Sequence, residues 1–199
     1  MRLRRQLVVF VKAPRIGTVK TRLAAAIGPV AAWRFYRTAT DRLLRTVGDG
    51  PGWHTSLAVT PDEFCRHGRY WPDRIARFAQ GRGDLGRRMG AVMATRPLGP
   101  VVIVGSDIPE LRHRHIAEAF AVLETHDAVF GPAADGGYWL VGLKRRPLRP
   151  DIFRNVRWST EHALADTLRN LPHGCRTALL ETLNDVDTVD DYRRYLAEI

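Results

Sequence analysis

Short apolar runs alternate with longer amphipathic ones along this chain. Strand candidates fall at 7–11, 55–59, 75–79, 101–104, 128–130 and 138–143. The runs at 7–11 and 101–104 are continuously apolar and rich in valine, the pattern of central parallel strands covered on both faces. Between the runs, residues 30–47 carry Trp33, Tyr36, Thr40, Leu43, Leu44 and Val47 at helical spacing. Further helices are predicted over 85–94, 113–123, 161–168 and 189–197. Ser159 or Thr160 supplies an N-cap for the 161–168 helix, and Thr188-Val-Asp-Asp191 opens the last with a capping-box pattern. Strands alternating with helices predict one α/β domain over residues 1–199, with a mostly parallel, doubly wound sheet and helices on both faces. No repeat or low-complexity linker divides it.

Composition narrows the partners. The net charge of +10 invites a polyanionic or phosphorylated ligand. Only Lys12, Lys20 and Lys144 are lysines; every other basic residue is arginine, in short runs such as 2–5 and 144–146. Scattered arginine without a dense basic tail or a stacked-aromatic motif argues against a nucleic-acid-binding module, which is the remote alternative. Two of the three lysines follow the first strand, where a compact ammonium has a use. Cys65 and Cys175 are far apart and form no CxxC pair, which points to a reduced compartment rather than a disulfide framework or zinc site. The apolar run after Arg2, Arg4 and Arg5 stops at Lys12 with no small-residue cleavage site, and no stretch reaches the length of a membrane span. A cytoplasmic protein is expected.

In doubly wound sheets, ligands sit outside the carboxyl ends of the strands, so the segments following the strands carry the chemistry. After the first comes Phe10-Val-Lys-Ala-Pro-Arg-Ile-Gly-Thr-Val-Lys-Thr-Arg-Leu23. Pro14 and Gly17 shape a loop, and Lys20, Thr21 and Arg22 open a helix whose amides suit a phosphate. The spacing is neither a Walker A loop nor a dinucleotide fingerprint. After the third strand, Gln80-Gly-Arg-Gly-Asp-Leu-Gly86 allows close backbone approach by a ligand, or is a common turn. After the fourth, Gly105-Ser-Asp107-Ile-Pro109 holds a carboxylate placed for Mg²⁺ or Mn²⁺, or for capping a helix. After the fifth, Asp135-Gly136-Gly137 reads as a tight turn, compatible with a sugar or ribose lying on the glycines while Asp135 accepts its hydroxyl protons. Asp185 and Asp187 share one face if extended and could complete a metal site with Asp107, or Asp187 starts the last helix. No GxSxG, HExxH or cysteine nucleophile setting occurs, so chemistry by positioned phosphates and metal is favoured.

Together these segments, with Trp158-Ser-Thr160 and Asp185-Val-Asp-Thr188, resemble the DUF2064 family, also described as rSAM/selenodomain-associated transferase 1. That family lies in the nucleotide-diphospho-sugar transferase (GT-A) superfamily. The resemblance runs through nearly the whole chain in order. It implies a single GT-A domain, with Lys12, Gly17, Lys20, Thr21 and Arg22 as the phosphate loop and Gly83 and Asp84 beside the nucleotide. It further implies Asp107 as the metal-binding aspartate and Asp135, Gly136 and Gly137 facing the donor sugar. Asp107 stands alone here rather than in a D-x-D, and the Trp158 motif has no assigned role. The expected function is Mg²⁺- or Mn²⁺-dependent glycosyl transfer from an NDP-sugar to a small-molecule acceptor, with Asp135 as catalytic base or sugar binder. The alternative is a nucleotidyltransferase releasing pyrophosphate from an NTP, since guanylyltransferases of the same superfamily resemble the chain at Asp135-Gly-Gly and Asp185-Val-Asp-Thr.

Overall fold

The apolar run at 7–11 becomes β1 (Gln6–Lys12), whose first four residues are buried, at the heart of a seven-stranded sheet. The other strands are β2 (His54–Thr60), β3 (Ala76–Ala79), β4 (Val101–Val104), β5 (Ala128–Pro132), β6 (Tyr138–Leu143) and β7 (Thr177–Leu179). The computed structural model describes residues 3–48, 52–66, 70–145 and 151–197; Arg2 and Arg146, in the two short basic runs, lie outside these. Strand order is β3-β2-β1-β4-β6-β5-β7, with β6 antiparallel to both neighbours and all other pairs parallel. Val9 is in register with Leu57 on one side and Val104 on the other. From β1 the chain winds outward to β2 and β3, then returns to lay β4 on β1's other edge. That reversal leaves a crevice between the loops following β1 and β4.

Helices cover both faces. α2 (Pro29–Val47) and α4 (His113–Thr125) pack one side through Leu43, Leu44, Ile116 and Phe120, with Ile116 and Phe120 fully buried. α3 (Leu85–Thr95) and α5 (Ala163–Arg169) pack the other through Met89, Val92, Met93 and Leu164. Burying a side chain such as Phe120 contributes about 1.5–3 kcal/mol of transfer free energy. α1 (Thr21–Ile27) and α6 (Val189–Ala197) join α2 in a third cluster, where Leu23, Phe35 and Val186 are buried and Tyr192 and Tyr195 meet the Phe35 ring edge-on.

The expected helix at 30–47 starts at Pro29, directly after a separate α1, because Gly28 ends one helix and proline fits the first position of the next. The 75–79 strand loses Ile75 to the preceding turn, while the 128–130 strand lengthens to Pro132. The helix expected at 161–168 begins instead at Ala163, with His162 at its N-cap and no side-chain cap. Neither Ser159 nor Thr160 caps it: Thr160 Oγ1 donates to the Arg157 carbonyl and accepts from the His162 amide, closing a turn just upstream. The capping box of the last helix is present, Asp191 Oδ2 accepting from the Thr188 amide and Thr188 Oγ1 from the Asp191 amide. β7 escapes the apolar pattern because its three residues form a partly exposed edge.

Residues 151–162 lie across the second helical layer as a strap without regular structure. Ile152 and Phe153 sink into the α3 side of the core. Asp166 of α5 accepts from the Arg157 amide and guanidinium (2.8–3.1 Å), and these bonds hold its carboxyl well below the usual carboxylate range. Two glycines make room for the strap. A Cβ on Gly86 would stand 2.7 Å from Trp158 Cζ2 and 2.9 Å from the Phe153 carbonyl oxygen, and one on Gly136 would stand 2.2 Å from the Glu161 carbonyl oxygen. Replacing Gly86 by alanine is therefore expected to lose roughly 1–3 kcal/mol by overpacking. The denaturation midpoint should fall at unchanged m-value, with a shift in tryptophan emission as Trp158 is displaced.

Candidate active site

Three distant segments meet at the crevice around one ammonium group. Lys20, at the start of α1, puts Nζ 2.7 Å from Asp107 Oδ2 and 2.6 Å from Asp187 Oδ1, its side chain only 3% exposed. Asp107 follows β4, and its carbonyl accepts from the Val186 amide at 3.3 Å. That bond fixes the C-terminal segment in place. Val186 turns into the third cluster, and Asp185 and Asp187 on either side present their carboxylates to Asp107. One oxygen from each of Asp107, Asp185 and Asp187 lies within 4.8 Å of the other two. Arg22 Nη1 stands 3.8 Å from Asp187 Oδ2, largely exposed.

The charges are unevenly compensated. Burial alone would depress the Lys20 pKa, but Asp107 and Asp187 outweigh it and raise it above the ordinary lysine value, so Lys20 stays charged. Asp185 is pushed the other way. Burial, with the charges of Asp107 and Asp187, lifts its pKa from 3.8 to about 6, against the pull of Lys20. One lysine does not balance three carboxylates, and Asp185 carries the excess.

The cleft beside this cluster gathers Arg22, Asp107, Asp135, Gly137, Asp185 and Asp187. Asp135 sits in the turn between β5 and β6, where its Oδ1 accepts from the Gly137 amide at 2.9 Å, so the tight-turn reading holds and the carboxylate still faces the cleft. Lys12, Gly17, Lys20, Thr21, Gly83, Asp84 and Gly136 do not line that cleft, Gly136 packing against the Glu161 backbone instead. Lys12 is exposed at the end of β1 and forms no ion pair among the described residues. Gly17 adopts a left-handed φ of 76° in the loop that follows. Asp84 caps α3, its Oδ1 accepting from the Arg87 amide at 2.8 Å, beside Gly83. Asp107 caps no helix, since α4 starts at His113 behind Arg112, and Asp187 leaves the capping of α6 to Thr188 and Asp191.

Several residues that build the site carry no motif signal. Tyr36, predicted only as a core position of its helix, accepts from the Lys12 amide (2.8 Å), donates to the Lys12 carbonyl (3.0 Å) and meets Ser106 Oγ at 3.1 Å. It thereby ties the loop after β1 to the loop after β4. Gln80 is buried, and its Nε2 donates to the Val11 and Ala58 carbonyls at the ends of β1 and β2. A polar residue at a helical core spacing or just past a strand was the available cue in each case. Trp158 and Glu161 enter the cleft from the strap, which gives the Trp158 motif a place.

Because the folded pKa of Asp185 exceeds its ordinary value, this group stabilises the protein below about pH 4, and that contribution is lost as pH rises through about 6. The same deprotonation frees the carboxylate for a cation. Mn²⁺ affinity, read by calorimetry, should rise between pH 5 and 7, and Asp185→Asn should flatten that rise. Lys20→Ala leaves three carboxylates facing one another; breaking a buried pair costs about 3–5 kcal/mol, less here since the aspartates are 31% and 40% exposed. Added Mg²⁺ should restore more thermal stability to this variant than to the wild type.

No curated protein matches the chain. A crystal structure from Desulfovibrio desulfuricans G20, described provisionally as a nucleotide-diphospho-sugar transferase, is 29% identical, with 96% of this chain and 85% of that one covered at a TM-score of 0.86. Rv0371c of Mycobacterium tuberculosis H37Rv in complex with manganese is 18% identical over 98% of this chain and 100% of that one, at 0.57. The 4-diphosphocytidyl-2C-methyl-D-erythritol synthase of Anaerococcus prevotii DSM 20548 is 8% identical over 98% and 96%, at 0.65. The last two share the fold. The family model described as "Uncharacterized protein conserved in bacteria (DUF2064)" matches residues 43–160, more than half of the chain, and the protein therefore belongs to the DUF2064 family.

Proposed function

We propose that the protein is a divalent-metal-dependent transferase using a nucleotide-activated donor, moving a sugar from an NDP-sugar to a small-molecule acceptor. The observation that carries this reading is the meeting of Lys20 with the Asp107, Asp185 and Asp187 carboxylates at the crevice between β1 and β4. The provisional description of the Desulfovibrio structure supports it at the level of the donor.

The residues fit Mg²⁺ or Mn²⁺. The donor set is all oxygen, its three ligand atoms lie within 4.8 Å of one another, and its surplus negative charge already perturbs Asp185. Asp107, Asp185 and Asp187 would hold the ion, which when bound would neutralise charge on the donor's diphosphate. The manganese complex of Rv0371c, on the same fold, agrees with that choice of metal. In this reading Lys12, Gly17, Lys20, Thr21 and Arg22 bind the phosphates, the loop of Gly83 and Asp84 borders the nucleotide, and Gly137 lets the sugar approach the backbone while Gly136 seats the strap beside it. Asp135, on the cleft side of the turn, takes the acceptor's proton or orients a sugar hydroxyl.

The second reading is nucleotidyl transfer, with an acceptor phosphate attacking the α-phosphate of an NTP and pyrophosphate leaving. It is kept because the 4-diphosphocytidyl-2C-methyl-D-erythritol synthase of Anaerococcus has the same fold. Thermal shifts across NTPs, NDPs and NDP-sugars, with and without Mg²⁺ or Mn²⁺, separate the two. A ligand at a hundred times its Kd adds about 2.7 kcal/mol, or roughly 5–10 °C in Tm for a chain of this size. Metal-dependent stabilisation by an NDP-sugar above its matching NTP is expected, and preference for the NTP would establish the second reading. Asp107→Asn should abolish the metal-dependent part of the shift.

A further inference from the structure

The cleft beside the acidic cluster, about 460 Å³, has two kinds of wall. Phe10, Leu85, Met89, Tyr138 and Trp158 supply apolar lining. Leu85 is 37% exposed there, an uncovered large side chain in the first turn of α3. The Tyr138 ring meets Trp158 edge-on at 6.2 Å, and the Trp158 indole N–H and the Ser159 hydroxyl have no hydrogen-bond partner among the described residues. Acidic residues line the same cleft, Asp107, Asp135, Glu161, Asp185 and Asp187, against Arg22 as its one cationic lining residue among those described. Lys20 adds one ammonium from behind. In a protein of net charge +10, this cleft is a local reversal of sign.

Like charges brought together across a binding site are strongly disfavoured, and apolar rings with neighbouring carboxylates and hydroxyls suit a ligand having an apolar face and hydroxyl groups. A divalent ion in the cluster would be matched by the negative charge of a donor diphosphate, so the acidic wall would still face whatever enters last. We infer that this cleft is the acceptor subsite and that it selects an uncharged, hydroxyl-bearing acceptor with an apolar face, excluding phosphorylated acceptors. The inference rests on the transferase reading above and adds the acceptor's chemical class. Trp158 and Tyr138 supply the apolar contact. Asp135 and Glu161 accept from the hydroxyl groups and repel anions. The strap supplies both kinds of lining, since Trp158 and Glu161 reach the cleft only because Gly86 and Gly136 admit it.

The test compares two probes that share an aryl glucoside and differ by one phosphate, 4-nitrophenyl β-D-glucoside and its 6-phosphate. Their affinities for the full-length protein are measured by saturation-transfer NMR, with and without Mg²⁺. The neutral glycoside should bind at least about ten-fold more tightly than the phosphate. Trp158→Ala should weaken the glycoside. Asp135→Asn combined with Glu161→Gln keeps the apolar wall and should shrink the discrimination to about two- to three-fold, a ratio that a merely destabilised wall does not produce. Equal or tighter binding of the phosphate, a ratio unchanged in the double variant, or no binding of either probe would overturn the inference. The nucleotide thermal shift of the unaltered protein, run in parallel, reads the donor side independently. No nucleotide response with charge discrimination retained removes the transferase reading and leaves the cleft's selectivity standing; the reverse pattern removes only the acceptor class.

Discussion

The site depends on one buried positive charge. An ammonium that is 3% exposed is tolerable only with anionic partners, and Lys20 finds them 87 and 167 residues away in sequence. The pairing ties the loop after β1, the loop after β4 and the segment before α6 into one assembly. Lys20 also has a left-handed backbone, φ 49° and ψ 47°, which carries a penalty of roughly 1–2 kcal/mol for a residue with a Cβ. Such a conformation persists where surrounding structure over-determines it. Here the two ion pairs and the burial of Leu23 a few residues on supply that constraint.

The glycines of the recognisable motifs divide between two jobs. Gly17 has a left-handed backbone and open space around it, so it shapes the loop after β1. Gly86 and Gly136 do something else: each stands where a side chain would collide with residues 153–161. Two loops that read as nucleotide- and sugar-facing turns are therefore also the seats of a third segment, and the Trp158 motif completes a wall rather than acting alone. Asp84 shows the same division, since its carboxylate is spent on the first turn of α3. The glycine-rich loop is shaped by local helix chemistry and by packing before any ligand arrives.

What was legible in the sequence follows from the range of the forces involved. Buried parallel strands such as β1 and β4 announce themselves as continuous valine-rich runs, because both faces are covered. Asp107, Asp185 and Asp187 could be grouped from their positions after a central strand and in an extended pair, and the structure brings their carboxylates together. The role of Lys20 as counter-ion to those aspartates was not legible, since nothing in a loop's spacing says which distant carboxylates will face it. The hydroxyl of Tyr36 was hidden by its own helix, where its spacing marks it only as a core position. The displaced start of α5 has a similar origin. Ser159 and Thr160 make a good local cap, yet they fall in the strap, which Asp166 anchors through Arg157, and Thr160 closes a turn there instead.

Under the proposed transferase reading, the distribution of charge around the crevice bears on how a donor would lie. Cations cluster on the loop after β1 and at the start of α1, in Lys12, Arg15, Lys20 and Arg22, whereas carboxylates dominate the cleft next to it. A donor with an anionic end and an uncharged end would lie along that gradient, its phosphates toward the cations and its transferable group toward Asp135. The same gradient disfavours a phosphate nucleophile approaching from the cleft, which nucleotidyl transfer to a phosphorylated acceptor requires. Fold alone is shared by enzymes of both reaction types and cannot separate them. If the cleft receives the acceptor, as inferred above, the sign of its charge bears on that choice, because a phosphorylated acceptor is anionic and a hydroxyl acceptor need not be.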